Sequence, residues 1–227
     1  ECIMDFQSQK KWVLLQFTPQ MLNDKIVIES EIRDISYRCY SQDPATLKSH
    51  FSTSFFNIGS IFSSNKDIGQ AIKESMRQIL MQINLHTVAV YRDVPDEECF
   101  ILENYFFHPH MESHLPKESI LPYRAVLGFK KILENRSLIV AGSIYDSMTS
   151  AMRQRIEALG IRSYVVAPIF IAGKFYGALV AGYFKERQWE NHEIEYLHGC
   201  ALILGQNIDR ELSRREILTS RNDFINI

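Results

Sequence analysis

The longest apolar stretch of the chain, residues 164–184, constrains the fold more than any other feature. It is 21 residues long with a single charge, Lys174, so its length alone matches a transmembrane helix. Gly173-Lys174 interrupts it near the middle, and a charge at that depth of a bilayer is costly. Both flanks are rich in Val, Ile, Phe and Tyr, which favour strands, while a proline and two further glycines disfavour a helix. The stretch therefore predicts a β-hairpin with a glycine turn.

The composition is that of a globular protein, with 46% hydrophobic and 23% charged residues among 227. The net charge of −2 leaves no basic excess to neutralise phosphates, so we expect no nucleic-acid partner. The start at Glu1 is interpreted as a cut from a longer chain, whose upstream part can be membrane-anchored. We expect this fragment itself to be cytoplasmic and to make no membrane contact. Four cysteines without C-x-x-C spacing indicate a reducing compartment: Cys2, Cys39, Cys99 and Cys200.

Periodicity divides the chain into helices and strands. Apolar residues at three- and four-residue steps predict a helix that begins at Pro44 and a second helix capped by Asp67. Helices at both ends of a set of strands joined by tight turns indicate an α+β fold, with an antiparallel sheet flanked by helices. The other predicted elements are strands at 12–18, 26–35, 87–91, 99–107 and 137–141, helices at 123–134, 151–159 and from 190 onward, and the hairpin at 164–184.

The second half of the chain carries motifs of a known family. Residues 161–181 resemble the closing hairpin of GAF domains, with Ser163 before an apolar strand, Pro168-Ile169 and a glycine turn. Residues 185–197 are similar to the segment that opens the last helix of phytochrome-like GAF domains, where Arg-x-Trp precedes Glu-Ile-Glu-x-Leu. The resemblance covers about 44–210 and implies a GAF-like antiparallel sheet flanked by helices, with a ligand pocket between the sheet and residues 105–152.

Both ends of the chain resemble other signalling modules. Residues 12–19 and Arg33-Asp34-Ile35-Ser36 are similar to the last two strands of PAS domains, and residues 220–227 resemble the segment ahead of the phosphoacceptor box of sensor histidine kinases. These resemblances imply a sensory segment of a two-component kinase, not itself an enzyme. The predicted domains are a PAS remnant that ends in a β-hairpin (1–43), a linker or first GAF helix (44–66), the GAF domain (67–210) and a signalling helix (211–227).

The last helix is predicted to transmit the signal. Its length exceeds the need of one GAF domain, and its apolar seam has a heptad spacing. A core helix accounts for the seam up to about Ile208. Beyond it, polar Glu211, Arg215 and Asn222 occupy seam positions, and we expect a second copy or another domain as the partner, preferably in a parallel homodimer. The dimer candidates are Ile194, Leu197, Ala201, Leu204, Ile208 and Leu218.

The implied pocket has candidate lining residues but no named ligand. Aromatic and methionine side chains line either a pocket or an ordinary core. Arg124, Arg153 and Arg155 are candidates for binding an anion. The pocket candidates are Tyr105, Phe107, Tyr123, Phe129, Tyr145, Met148 and Met152.

Catalytic and cofactor motifs are missing from the sequence. It has no G-x-S-x-G, P-loop or G-x-G-x-x-G pattern. His192-Glu193 begins like H-E-x-x-H, but Tyr196 replaces the second histidine, so both residues are interpreted as surface at a helix start. Bilin-binding GAF domains carry a cysteine before the closing hairpin, and residues 146–155 have none, so we expect no cofactor. A histidine-rich loop is the one candidate metal cluster, which we do not adopt: His108, His110, His114 and Glu112.

Two alternatives to the kinase interpretation stay open. One is a GAF regulatory module ahead of a diguanylate cyclase or in a transcriptional activator. The other is a stand-alone GAF-fold methionine sulfoxide reductase, which needs reactive cysteines near the pocket, and the placement of Cys99 and Cys200 does not support it.

Overall fold

The computed structural model describes the backbone of residues 2–6, 9–22, 25–34, 44–65, 67–107, 120–126, 128–144 and 150–225. Side-chain surroundings are described within 49–215, except at 66, 108–119, 127, 145–152 and 155. The chain forms two units, Glu1–Thr53 and Ser54–Ile227. The division falls inside a helix, α1 (Pro44–Ser64).

The first unit contains a three-stranded antiparallel sheet in the order β1-β2-β3. Its strands are β1 (Cys2–Phe6), β2 (Gln9–Leu22) and β3 (Lys25–Asp34). Val13 of β2 pairs with Cys2 on one side and with Asp34 on the other. The two strands predicted from alternation are confirmed, while β1 was not expected. Asn23 and Asp24, between β2 and β3, lie outside the described residues.

The second unit is built on a six-stranded sheet in which all pairs are antiparallel, in the order β6-β5-β4-β9-β8-β7. This arrangement confirms the α+β prediction of an antiparallel sheet flanked by helices. Asp67 caps the second helix by accepting a hydrogen bond from the Gly69 amide at 2.9 Å, as expected. After α1 the elements are α2 (Ile68–Gln82), β4 (Thr87–Val94), β5 (Cys99–Phe107), β6 (Ile120–Pro122), α3 (Phe129–Glu134), β7 (Ile139–Ala141), α4 (Ser150–Ala158), β8 (Ser163–Ile171), β9 (Lys174–Tyr183) and α5 (Asn191–Ile225).

The apolar stretch at 164–184 forms the β8–β9 hairpin. Ile171 pairs with Lys174 across a two-residue turn. Ala172 and Gly173 have φ values of 48° and 78°, the left-handed pair that a tight hairpin turn requires. None of the described helices is both long and apolar enough to cross a membrane.

One predicted helix is wrong in its first half. Residues 123–134 do not form a single helix: Tyr123–Ala125 is a 3₁₀ turn, and α3 begins only at Phe129. Gly128, at φ 83°, breaks the helical path between them. The short strand β6, which pairs with the start of β5, is not among the elements predicted from the sequence.

The sheet of the second unit buries side chains on both faces. Helices α2 and α5 cover one face, with α5 on β8 and β9 and α2 on β4 and β5. Side chains at alternate positions of β8 and β9, such as Val165, Ile169 and Leu179, are fully buried there. The residues between them face the opposite side, where a second apolar cluster lies with α3 and α4: Phe100, Val126, Leu133, Ala141, Ile144, Ile156, Ile161, Tyr164, Val166 and Ala178.

Candidate ligand pocket

The second apolar cluster encloses a pocket on the sheet face away from α5. Strands β8 and β9 supply its floor through Tyr164, Val166, Ala178 and Val180. The empty space amounts to about 650 Å³, including the part that is open to solvent. The other lining residues are Tyr91, Phe100, Leu121, Val126, Phe129, Leu133, Ile156 and Ile161.

A cluster of polar side chains stands beside the pocket and ties α3 to the sheet. Lys130 Nζ, on α3, donates to both carboxylate oxygens of Asp93 at 2.9 and 3.2 Å and to Tyr123 Oη at 2.8 Å. The Tyr123 hydroxyl in turn donates to Asp93. The Tyr123 ring also packs edge-on against Phe100, at 5.1 Å between centroids. These three polar residues, the Asp93 cluster, join the 3₁₀ turn and α3 to β4 next to the pocket.

The Asp93 cluster perturbs the protonation of its own members. Burial, reinforced by the hydrogen bond to Asp93, raises the pKa of Tyr123 to about 12. The pKa of Lys130 is also raised, because its contacts with Tyr123 and Asp93 outweigh the opposing effect of burial. Both protons are therefore held firmly at neutral pH.

Replacing Tyr123 with phenylalanine should make the free energy of unfolding fall less steeply as the pH rises above 10. Between pH 10 and 12 the unfolded wild type releases the phenolic proton while the folded chain keeps it, so stability falls as pH rises. Tyr123→Phe lacks this contribution, worth at most about 1.4 kcal/mol per pH unit. Urea unfolding at pH 9 and pH 11 measures the difference, with Tyr105→Phe as the exposed control. Equal slopes for wild type and Tyr123→Phe would contradict the assignment.

The segment after β7 belongs to the pocket cluster and is bonded to the connection that leads into α5. Ala141 is buried in that cluster, and its carbonyl accepts from Trp189 Nε1 at 3.2 Å. The Gly142 carbonyl accepts from the Arg187 amide at 3.1 Å, and Ser143 Oγ donates to Glu186 at 2.8 Å. A side chain at Gly142 would meet the Arg187 carbonyl at 2.9 Å, so the two segments touch.

Arg187 joins this connection to the first turn of α5. Its guanidinium forms an ion pair with Glu193, whose side chain is only 2% exposed, and lies over the rings of Tyr183 and Trp189 at 4.8 and 4.5 Å. The second carboxylate oxygen of Glu193 accepts from the Glu190 amide at 3.1 Å, which caps the helix start. Arg187, Trp189 and Glu193, the junction, therefore connect the pocket cluster to α5.

The family model for GAF domains matches residues 67–208 of the sequence, more than half of the chain. The chain belongs to the GAF domain family. No curated protein gives a significant sequence match to it.

Solved structures support the same fold for this GAF domain. The phycoerythrobilin-bound GAF domain of a cyanobacterial phytochrome is 14% identical with a TM-score of 0.62, covering 73% of this chain and 97% of its own. The GAF domain of a phosphoenolpyruvate-protein phosphotransferase from Coxiella burnetii is 13% identical, with a TM-score of 0.59 and coverages of 74% and 98%. Free methionine-R-sulfoxide reductase from Neisseria meningitidis is 17% identical, with a TM-score of 0.56 and coverages of 72% and 91%. At these identities the likeness concerns the fold alone.

The predicted pocket residues of the GAF domain fall into three groups. Phe129 lines the pocket, and Tyr123 stands beside it in the Asp93 cluster. Tyr105 and Phe107 pack edge-on at 5.6 Å toward the end of β5 and are not among the described lining residues; Tyr105 is 39% exposed. Four predicted residues lie outside the described side chains: Tyr145, Met148, Met152 and Arg155. Of the other two arginines, Arg124 is exposed and Arg153 is half-buried, and neither belongs to the described lining.

The four residues of the pocket floor, and the burial of one acidic residue, were not predicted from the sequence. Tyr164, Val166, Ala178 and Val180 were assigned to the hairpin but not to the site; their alternation with Val165 and Leu179 is the signal that marks one face. The prediction that Glu193 lies on the surface is wrong, because Arg187 pairs with it and buries it. His192 is half-buried and within 3.3 Å of Glu190.

Most of the predicted helix seam packs inside the GAF domain. Leu197, Ala201, Leu204 and Ile208 are buried in the same chain, and Ile194 is half-buried. Their burial within one chain fits the core-helix alternative up to about Ile208, and the dimer contact predicted for them stays a prediction. The side chain of Leu218 lies outside the described residues.

The described cysteines and metal candidates offer no reactive centre. Cys99 and Cys200 are both buried, and burial raises the pKa of each thiol, which favours the unreactive protonated form. Neither lines the described pocket. Within the described residues, no group of three or more His, Cys, Asp or Glu side chains is placed to hold a metal. The His108, His110 and His114 loop with Glu112 lies outside them.

Proposed function

We propose that this GAF domain is the sensory segment of a two-component histidine kinase and passes the state of its pocket along α5 to a downstream module. The observation that carries the proposal is the junction. It bonds the segment Ala141–Ser143 on the pocket side to the first turn of the helix that leaves the domain.

The route from pocket to helix is short. Ile156 and Ile161 line the pocket, and the adjacent Arg162 carbonyl accepts from the Ile144 amide at 2.9 Å. Residue 144 follows the segment that contacts Arg187. Any ligand that shifts α4 or this segment therefore acts on Arg187, which holds the start of α5 through Glu193. A displacement of a helix by one or two ångströms is a common signalling movement.

The rest of the assignment rests on sequence resemblance. The PAS-like strands at 12–19 and 33–36 and the kinase-like segment at 220–227 favour a PAS–GAF–kinase order. A parallel homodimer fits the exposed apolar side chains of Phe56 on α1 and of Leu202 and Leu212 on α5. A light-scattering mass near that of the monomer at micromolar concentration would contradict the dimer. The alternative output is a diguanylate cyclase or a transcriptional activator.

The fragment is proposed to be non-catalytic. The reductase alternative requires an accessible thiolate near the substrate, whereas Cys99 and Cys200 are buried thiols with raised pKa values. The residues that follow Ile227 in the parent gene discriminate among outputs. A His-Glu-x-x-Thr-Pro run there supports the kinase, and its absence would leave the alternative outputs.

Filling the pocket should change hydrogen exchange at the start of α5. Ala178→Leu adds carbon atoms on the pocket side of β9, and we expect altered exchange of amides 191–211. Helix α2 packs on the same sheet face as α5 and serves as the internal reference; Ala158→Leu, at an exposed position of α4, is the matched control. In an Arg187→Met background the α5 response should disappear. Equal changes in α2 and α5, or none in either, would contradict the relay.

A further inference from the structure

We propose that the pocket takes an uncharged, largely apolar small molecule, so that anionic ligands are excluded by the chemistry of its walls. The inference deepens the proposed function, because it names the class of ligand for the same pocket. It rests on the described lining and on the engagement of the nearest charges.

The described part of the lining offers no ionised partner. All twelve described lining residues are apolar or aromatic, and their only polar side-chain atoms are the hydroxyls of Tyr91 and Tyr164. A carboxylate, phosphate or sulfonate that entered would lose its water without gaining a counter-charge from these walls, which is strongly unfavourable. A neutral ring or short hydrocarbon would replace water against apolar surface, which is favourable.

The charges of the Asp93 cluster do not supply what the lining lacks. Lys130 already donates to both oxygens of Asp93 and to Tyr123, and the Asp93 side chain is buried. Drawing Lys130 toward an anionic ligand would leave the Asp93 carboxylate buried without its cation. Breaking such a pair is costly, so the cluster opposes anion binding instead of assisting it.

The floor of the pocket has its two hydroxyl-bearing residues at different positions along β9. Tyr91 is paired with Ala178 and Tyr164 with Gly182, so the two hydroxyl-bearing side chains stand four residues apart along β9. At about 3.3 Å per residue the two positions are offset by roughly 13 Å along the strand direction, and they lie on opposite sides of β9. Apolar Val180 lies between them. The floor between the two tyrosines is therefore apolar, which fits the hydrophobic character of the rest of the described lining.

Two fluorescent probes that differ by one sulfonate group test the proposal. N-phenyl-1-naphthylamine is neutral, and 8-anilinonaphthalene-1-sulfonate has the same rings plus a sulfonate. We expect the neutral probe to bind the full chain at least about tenfold more tightly, because only the sulfonate must be buried without a partner. Ala178→Leu and Val180→Phe should each weaken the neutral probe, while the exposed control Ala158→Leu should not.

Several outcomes would overturn the proposal. The first is that the sulfonate probe binds as tightly as the neutral probe, or more tightly, and that Ala178→Leu abolishes its binding. The second is that neither Ala178→Leu nor Val180→Phe changes the affinity for the neutral probe. The third is that neither probe binds. Far-UV circular dichroism identifies variants that fail to fold, and the graded change Ala178→Val then replaces Ala178→Leu. If the neutral probe binds but pocket filling does not change hydrogen exchange in α5, the proposed ligand class is supported and the sensory function is rejected. If pocket filling changes hydrogen exchange in α5 but the two probes bind equally well, only the proposed ligand class is rejected.

Discussion

Arg187→Met should lower the free energy of unfolding of the GAF unit by about 3–5 kcal/mol, the usual cost of removing one partner of a buried ion pair. Methionine keeps most of the hydrocarbon length but removes the charge, so the buried Glu193 carboxylate would retain only the Glu190 amide among the contacts shown here. The contacts of the guanidinium with Tyr183 and Trp189 would be lost as well. Urea unfolding followed by Trp189 fluorescence, in a Trp12→Phe background, measures the change.

A second arginine pair supplies the matched control. Arg162 and Glu157 lie 2.7 Å apart, but their side chains are 38% and 32% exposed. Arg162→Met should therefore cost less than about 1 kcal/mol. Adding Glu193→Gln to Arg187→Met should restore part of the lost stability, because the amide needs no counter-charge and its oxygen can still cap α5. Equal losses for the two single arginine variants would show that burial does not set the value of the Arg187 pair.

The sequence predicts the framework of the GAF unit better than the roles of its polar residues. The break at Gly173-Lys174 is a local signal, and it correctly predicts that the apolar stretch forms the β8–β9 hairpin and not a membrane-spanning helix. Glu193 shows the opposite case. Its burial depends on Arg187, six positions earlier in an irregular segment, and no periodicity links the two. Trp189 and Ser163 were recognised as family markers, but only the structure shows that they bond to Ala141 and Lys185.

The pocket was harder to predict for a physical reason. A strand buried on both faces has a continuous apolar run, so β8 and β9 do not reveal which side chains face a cavity until the covering helices are known. The prediction concentrated on aromatic residues over 105–152 and found Phe129 and Tyr123. It missed the floor, because small residues such as Ala178 create space without any chemical signature.

Gly205→Ala should destabilise the GAF unit by about 3 kcal/mol, because α5 approaches the sheet too closely for any side chain there. A methyl group at Gly205 would lie 2.3 Å from the Phe170 carbonyl oxygen and 3.3 Å from Ile169 Cγ2. The first contact is with backbone, so the helix must move away from β8, which separates the packed residues Leu204 and Ile208 from the sheet. The gain of about 1 kcal/mol that alanine normally brings to a helix interior cannot offset this.

Gly59→Ala is the matched control, since Gly59 is also a helical glycine and a methyl group there meets nothing within 4 Å. That variant should stabilise the chain by about 0.5–1 kcal/mol. The two glycine substitutions are thus expected to have opposite signs in the same urea-unfolding measurement. If Gly205→Ala also stabilises the chain, α5 has room to move on β8. Such freedom would mean that Gly205 does not fix the distance between the helix and the sheet, and the junction at Arg187 would then be the main restraint on α5.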